Sequence, residues 1–171
     1  LHRAVIYRML IGILDEKNLA NSLYFKGGTC ATMLGFLDRF SIDLDFDLKK
    51  GVDKKEERGV LIKVFGKLEF SIKEESKQEL FFVLKYEAPP EMRNTLKVGI
   101  VDNSPQANVY QPLYLPDISR YAMCQTKESM FANKLVAVTD RYNKYKTIAG
   151  RDIYDIHYFF LQGFEYNRKV I

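Results

Sequence analysis

Two adjacent glycines and a strand with aspartates at alternate positions constrain the fold of this chain more than any other feature. The glycines are Gly27 and Gly28, and the acidic segment, residues 43–48, reads DLDFDL. Side chains alternate between the two faces of a strand, so one face is predicted to carry only carboxylates and the other only apolar groups. The carboxylates are those of Asp43, Asp45 and Asp47. Because like charges on one strand face repel one another, the pattern indicates that this face binds a cation, such as a divalent metal ion.

The composition is typical of a soluble globular protein with one sizeable core. Of the 171 residues, 47% are apolar and 28% are charged, and the formal net charge is +4. No apolar run approaches the roughly 20 residues of a membrane span, and residues 5–14 are too short and too interrupted for a signal peptide. Cys30 and Cys124 lack metal-ligand spacing and are predicted to be reduced core residues. We therefore expect a cytoplasmic protein without a membrane partner, and the charge permits a polyanionic partner without predicting one.

Hydrophobic periodicity predicts an α+β fold with a mixed central sheet and a helical C-terminal segment. The predicted helices are residues 3–19, residues 29–37 capped by Thr29, a helix capped by Asp53 that ends near residue 68, residues 126–141 and residues 151–162. The predicted strands are residues 23–25, 42–48, 70–74, 80–87, 95–101 and 118–124, with residues 109–115 as an edge strand or a loop. We divide the chain into a core, residues 1–118, and a mainly helical segment, residues 119–171.

The glycine pair and the acidic strand together predict a phosphate and metal site. Two glycines after a strand let a ligand approach the backbone closely and expose N–H groups that suit phosphate oxygens. The carboxylates that follow are the oxygen ligands that Mg²⁺ prefers. The combination fits a metal-bound nucleoside triphosphate, whereas the plain alternative is a tight turn beside an exposed acidic strand.

Several motifs resemble one known family. The stretches FKGGT (residues 25–29) and RFSIDLDF (residues 39–46) resemble the first motif of the AbiEii/AbiGii-type nucleotidyltransferases. These proteins are toxins of bacterial abortive-infection and toxin–antitoxin systems within the DNA polymerase β-like nucleotidyltransferase superfamily. KLVA (residues 134–137) with Arg141, and RDIYDI (residues 151–156), resemble later motifs of the family. The resemblance covers residues 23–160.

The resemblance implies a polymerase β-like nucleotidyltransferase fold and a set of site residues. Asp43 and Asp45 would bind Mg²⁺ or Mn²⁺. Lys134 would neutralise the phosphate tail of a nucleoside triphosphate, and Asp152 would serve activity or anchor Lys134 or Arg141. The residues expected to hold the β- and γ-phosphates are Gly27, Gly28, and Thr29 or Ser41.

The C-terminal motif residues have a simpler alternative. Lys134 and Arg141 share one helix face, and Arg151 and Asp155 are an i, i+4 pair. Without the resemblance, these groups would be surface ion pairs that contribute little to stability. Asp155 is expected to be structural, and no role is assigned to Arg151. Residues 142–146 interleave tyrosines and lysines, which fits either nucleic-acid contacts or a solvated loop.

One position departs from the family pattern. The family has a third carboxylate two residues after a lysine in a strand, and here Lys97 is followed by Gly99 at that place. Three interpretations stay open. The protein is an active enzyme with two carboxylates, the third ligand has moved to Asp102 or Asp47, or the site binds nucleotide without catalysis.

By resemblance, the protein is expected to move a nucleoside monophosphate from a nucleoside triphosphate to a hydroxyl group and to release pyrophosphate. The implied acceptor is RNA, such as the 3′ end of tRNA, or a protein hydroxyl, and the implied partner is a cognate antitoxin. The alternative is a non-catalytic nucleotide-binding module with a degenerate site at Gly99. No motif indicates which nucleoside triphosphate is used.

Overall fold

A seven-stranded mixed sheet forms the centre of the computed structural model, which describes residues 1–171. The strands are β1 (Leu23–Lys26), β2 (Asp43–Leu48), β3 (Ser71–Glu75), β4 (Leu80–Lys85), β5 (Thr95–Val101), β6 (Tyr110–Leu115) and β7 (Arg120–Gln125). Their order across the sheet is β3-β4-β5-β2-β1-β7-β6. The pairs β2–β5 and β1–β7 are parallel, and the others are antiparallel. The predicted mixed central sheet is confirmed.

Six helices surround the sheet. They are α1 (His2–Asp15), α2 (Lys17–Ser22), α3 (Gly27–Met33), α4 (Lys54–Lys67), α5 (Lys127–Tyr145) and α6 (Gly150–Leu161), and residues Pro116–Ile118 form a short 3₁₀ helix. None of these helices is both long enough and apolar enough to span a lipid bilayer.

The alternation predicted for β2 sets the two faces of the sheet. Leu44 and Phe46 have no exposed surface and belong to the main hydrophobic core, together with buried residues of α1 and α4. The cysteines Cys30 and Cys124 are free and buried in the same core, as predicted. The aspartates of β2 therefore lie on the face opposite the α1–α4 core.

Several predicted boundaries were wrong in detail. The single helix predicted over residues 3–19 is two helices, because Glu16 has extended backbone angles and separates them. Thr29 does not cap α3; Lys26 precedes its first turn, and the Thr29 hydroxyl donates to the carbonyl of Asp43. The helix predicted to end at Arg141 continues to Tyr145, so residues 142–145, which lie between two predicted helices, are helical.

Other local predictions are confirmed. The Asp53 carboxylate accepts a hydrogen bond from the Lys55 amide and caps α4. The helix predicted to start at Thr126 begins one residue later, and the Thr126 hydroxyl caps it by accepting a hydrogen bond from the Ser129 amide. Residues Tyr110–Leu115 form an edge strand. The division after residue 118 stays a prediction; β7 lies beyond it in sequence and occupies a place in the central sheet between β1 and β6.

Candidate active site

A cavity of about 520 Å³ lies between the glycine turn, the start of β2, and helices α5 and α6. Its wall carries five cationic and three anionic side chains, so positive charge predominates. The cations are Lys26, Arg39, Lys134, Arg141 and Arg151, and the anions are Asp43, Asp45 and Asp152. Because cations outnumber anions on its wall, the cavity suits an anionic ligand.

The glycine turn packs directly against the acidic strand. Gly27 has a φ of +77°, and a Cβ atom on it would lie 2.7 Å from Oδ2 of Asp45. A Cβ atom on Gly28 would lie 2.8 Å from Oγ of Ser41. Both positions therefore require glycine, the first also for its backbone conformation. The turn brings bare backbone within reach of whatever the carboxylate binds.

Asp43 and Asp45 both face the cavity and together form a strongly negative spot. Burial raises the pKa of Asp45, and the negative charge of Asp43 raises that pKa further. Oδ1 of Asp43 is buried and accepts no hydrogen bond, and Nη2 of Arg93 lies 3.6 Å from it. A buried carboxylate oxygen without a hydrogen bond, beside a second carboxylate, fits the donor set of a hard divalent cation.

Gly99 lies where a third carboxylate would complete this spot. The parallel pairing of β2 and β5 sets Asp45 opposite Gly99, and a Cβ atom on Gly99 would lie 3.5 Å from Oδ1 of Asp45. The protein has no group of three or more acidic, histidine or cysteine side chains placed to hold a metal ion. Asp102 lies outside the cavity and contacts Nζ of Lys54 at 2.6 Å.

Asp47 shares the face of Asp43 and Asp45 and is engaged by other residues. It is fully buried; Nζ of Lys26 lies 2.5 Å from Oδ1, and the Tyr110 hydroxyl donates to Oδ2 at 2.7 Å. Because both oxygens are hydrogen-bonded within the protein, Asp47 is not one of the proposed metal ligands.

Ser41 and Thr29, both predicted near the phosphates, occupy different places. Ser41 lines the cavity beside Gly28. Thr29 is buried, does not line the cavity, and holds the start of β2 through its bond to the Asp43 carbonyl. Thr29 therefore positions the first aspartate rather than facing a ligand.

The C-terminal motif residues form a buried ion-pair network on the cavity wall. Nζ of Lys134 lies 3.0 Å from Oδ1 of Asp152 and 3.0 Å from Oδ2 of Asp155. Nη2 of Arg141 lies 3.4 Å from Oδ2 of Asp152. Both aspartates are buried, so these groups are not the surface ion pairs of the simpler alternative. Asp152 anchors both Lys134 and Arg141.

Asp155 also binds Arg39, at 2.5 Å from Nε and 2.6 Å from Nη2. Burial by itself raises the pKa of Asp155, but hydrogen bonding to Arg39 and the charge of Lys134 outweigh burial, so the pKa is lowered. Asp155 is thus structural, as predicted, and it holds two of the cavity cations.

Sequence reasoning did not identify two cationic side chains that lie in or near the cavity, those of Lys26 and Arg93. Alternation along β1 predicts the face on which Lys26 lies. Its place beside the aspartates depends on the pairing of β1 with β2, which sets Lys26 opposite Asp45. Arg93 lies in the loop between β4 and β5 and reaches Asp43 only through the fold. No local pattern marks Arg93.

The comparisons with known proteins agree with this geometry. The family model described as the AbiEii nucleotidyl transferase toxin of type IV toxin–antitoxin systems matches residues 8–171. No curated protein matches the sequence closely enough to add to this comparison.

Three solved structures share the fold. JHP933 of Helicobacter pylori has a TM-score of 0.60 and 22% identity over 93% of this chain and 66% of its own. A second H. pylori protein, described as a nucleotidyltransferase, has a TM-score of 0.63 and 22% identity over 93% and 68%. MenT4, a nucleotidyltransferase toxin of Mycobacterium tuberculosis, has a TM-score of 0.56 and 22% identity over 91% and 56%.

These matches confirm the predicted polymerase β-like fold and the predicted family. The chain spans 66% of the length of JHP933 and 56% of that of MenT4. Because the family model covers nearly all of the described residues, the assignment does not depend on the low identity to these structures. The chain belongs to the AbiEii family of nucleotidyltransferase toxins.

Proposed function

We propose that this protein is a Mg²⁺-dependent nucleotidyltransferase that moves a nucleoside monophosphate from a nucleoside triphosphate to a hydroxyl group of RNA. The observation that carries the proposal is the pair Asp43 and Asp45 beside the glycine turn, in a cavity with five cationic side chains. Membership of a toxin family supports the further proposal that the protein acts in the cytoplasm and is restrained by a cognate antitoxin.

The phosphate tail is proposed to lie along the glycine turn. Gly27, Gly28 and Ser41 line the same cavity, and the two glycines carry no side chain that would cover the backbone there. Lys134 supplies a compact positive charge, held in place by Asp152 and Asp155. Charges that are fixed before the substrate binds need no rearrangement in the transition state. Such preorganised electrostatic stabilisation, together with positioning, is the main source of catalysis in phosphoryl transfer.

Asp43 and Asp45 are the residues that would hold a divalent metal ion, because their oxygens include a buried acceptor without a hydrogen bond. When bound, such an ion neutralises phosphate charge and favours loss of the proton from an attacking hydroxyl. The pKa of Asp45 is raised first by burial and then by the charge of Asp43, and a cation bound by both carboxylates would lower it.

A second candidate function is nucleotide binding without catalysis. Gly99 favours it, because the position that faces Asp45 from β5 carries no ligand atom. The two functions share the binding site and differ only in turnover, so one assay separates them.

The test uses each nucleoside triphosphate labelled at the α-phosphate, with Mg²⁺ and total tRNA or total protein as acceptor. Transfer that Asp45→Asn abolishes and that Asp140→Asn retains would support the enzyme; Asp140 is an exposed aspartate on α5 and is the matched control. Binding of a nucleoside triphosphate without transfer would support the non-catalytic module. Absence of binding for all four would contradict both functions.

A further inference from the structure

A second cavity, of about 560 Å³, lies beside the first on the sheet. Two tyrosines and two lysines contribute to its wall, together with hydroxyl and amide side chains of the loop over residues 102–108. The rings of Tyr24 and Tyr110 pack with their centroids 4.5 Å apart. Lys49 and Lys50 are exposed at the end of β2, and neither takes part in a salt bridge.

One buried carboxylate joins the two cavities. Lys26 lines the candidate active site, and Tyr110 lines the second cavity. Asp47 has no exposed surface and binds both, with Nζ of Lys26 at 2.5 Å and the Tyr110 hydroxyl at 2.7 Å. The second cavity is therefore fixed in position relative to the cation that faces the proposed phosphates.

Aromatic rings continue from the second cavity along the edge of the sheet. Tyr110 and Tyr114 lie four residues apart on β6, an even spacing that places both side chains on one face of the strand. The antiparallel register sets Tyr114 opposite Tyr121 of β7, with ring centroids 5.2 Å apart. Tyr114 is 47% exposed and Tyr121 is 72% exposed. These two rings therefore offer flat apolar surface to solvent.

The charges around the second cavity favour an anionic partner. Its only carboxylate is that of Asp102, and Nζ of Lys54 lies 2.6 Å from Oδ2 of that residue. No carboxylate forms a salt bridge with Lys49 or Lys50, so their positive charges are not neutralised within the protein. Lysines without a salt bridge beside paired and exposed tyrosines match the alternation of phosphates and flat bases in a single nucleic-acid strand, and the amide groups match base edges.

We propose that the second cavity and the pair Tyr114–Tyr121 bind a single strand of RNA, and that this strand is the acceptor of the transfer. The proposal rests on the proposed function for the role of the strand, although the binding itself does not require transfer. Bases stack on the tyrosines, Lys49 and Lys50 contact phosphates, and the strand leads past Asp47 towards the candidate active site.

The experiment measures binding of a short fluorescent single-stranded RNA by anisotropy, without nucleoside triphosphate or Mg²⁺. We expect Tyr121→Ala to weaken binding about fivefold or more and Tyr121→Phe to retain it, because stacking needs the ring and not the hydroxyl. The double change Lys49→Ala with Lys50→Ala should reduce the slope of log K against log salt concentration by about 1.4, or about 0.7 for each phosphate contact. All these side chains are exposed, so the variants are expected to fold.

The matched control is Tyr145→Ala on α5, whose side chain is 62% exposed and lies among the lysines near the end of that helix. It should bind RNA as the unaltered protein does. The proposal is overturned if Tyr121→Ala and the double lysine change both leave binding unaltered, or if only Tyr145→Ala weakens it.

Two further measurements separate this proposal from the proposed function. Tyr121→Ala should bind nucleoside triphosphates as the unaltered protein does, and Asp45→Asn should still bind RNA. RNA binding without any transfer would contradict the enzyme and support the RNA surface. Transfer to protein hydroxyls without RNA binding would contradict the RNA surface and leave the enzyme intact.

Discussion

Arg39 and Asp155 form a two-point ion pair that joins the segment before β2 to helix α6. Nε lies 2.5 Å from Oδ1 and Nη2 lies 2.6 Å from Oδ2, and Lys134 approaches the same carboxylate at 3.0 Å. Asp155 has no exposed surface. The wall of the candidate active site is thus held together by one buried anion with two cations.

Replacing Asp155 with alanine should strongly destabilise the protein. Removing one partner of a buried ion pair leaves uncompensated charge and typically costs about 3–5 kcal/mol. Unfolding in urea measures the change. The control is Asp38→Ala, which removes an exposed hydrogen bond from the Tyr154 hydroxyl and should cost less than about 1 kcal/mol. Equal effects of the two changes would contradict the structural role of Asp155.

The pH dependence of stability should report the same carboxylate. The pKa of Asp155 is lowered in the folded protein, so the unfolded chain binds the proton first as the pH falls. The stabilisation from Asp155 is therefore complete above the unfolded pKa, about 3.9, and is lost as the pH falls through the folded pKa. The difference in free energy of unfolding between the protein and Asp155→Asn should shrink below about pH 4. A difference that stays constant from pH 7 to pH 3 would contradict this assignment.

Asp45 should show the opposite sign. Its folded pKa is raised by burial and by Asp43, so its charged form weakens the fold, and stability is lost as the pH rises through that pKa. We expect Asp45→Asn to raise the melting temperature of the metal-free protein at pH 7. Mg²⁺ at a hundred times its Kd should stabilise the unaltered protein by about 2.7 kcal/mol. Mg²⁺ should stabilise Asp45→Asn much less, and equal stabilisation of both would place the ion elsewhere.

Gly99→Asp should strengthen metal binding. A Cβ atom fits at this position, 3.5 Å from Oδ1 of Asp45, so the new carboxylate would extend the negative spot. Without metal, the added charge should lower stability; with Mg²⁺ or Mn²⁺, the gain in melting temperature should exceed that of the unaltered protein. Gly99→Asn has similar size without the charge and should show neither effect. An unchanged metal response in Gly99→Asp would contradict the metal site at Asp43 and Asp45.

Gly28→Ala should damage the proposed phosphate site. The new Cβ atom would lie 2.8 Å from Oγ of Ser41 and 3.1 Å from Nη2 of Arg39, so at least one side chain must move. Crowding of this kind costs about 1–3 kcal/mol, and we expect weaker binding of nucleoside triphosphates by calorimetry. Gly59→Ala on α4 meets no atom within 4 Å and should raise stability by about 0.5–1 kcal/mol. Unchanged nucleotide affinity in Gly28→Ala would argue against phosphate binding at the turn.

The sequence alone predicts the parts of the site that local pattern determines. Alternation along β2 predicts that Asp43 and Asp45 share a face, and the register with β5 confirms that Gly99 is the neighbour of Asp45. Asp152 was predicted to serve activity or to anchor Lys134 or Arg141, and its contacts with both cations agree with the anchoring role. These predictions needed only the periodicity of strands and helices and the motifs of the family.

Contacts between distant segments could not be predicted. Alternation alone makes Asp47 resemble its two neighbours, and only the pairing of β1 with β2 and the approach of β6 bring Lys26 and Tyr110 to it. Thr29 is a good helix cap by residue type, but its hydroxyl bonds to the adjacent strand instead. In each case, a tertiary partner replaced the local one that the residue type favours.

The place of β7 between β1 and β6 has a consequence for how the protein is made. A ribosome that has translated residues 1–118 has made Asp43 and Asp45, but not β7, which flanks β1, or the helices that carry Lys134 and Asp152. A nascent chain or a prematurely terminated product therefore lacks the part of the cavity wall that α5 and α6 supply. For the toxin activity proposed above, this order of synthesis delays a complete site until α6 has packed against α5.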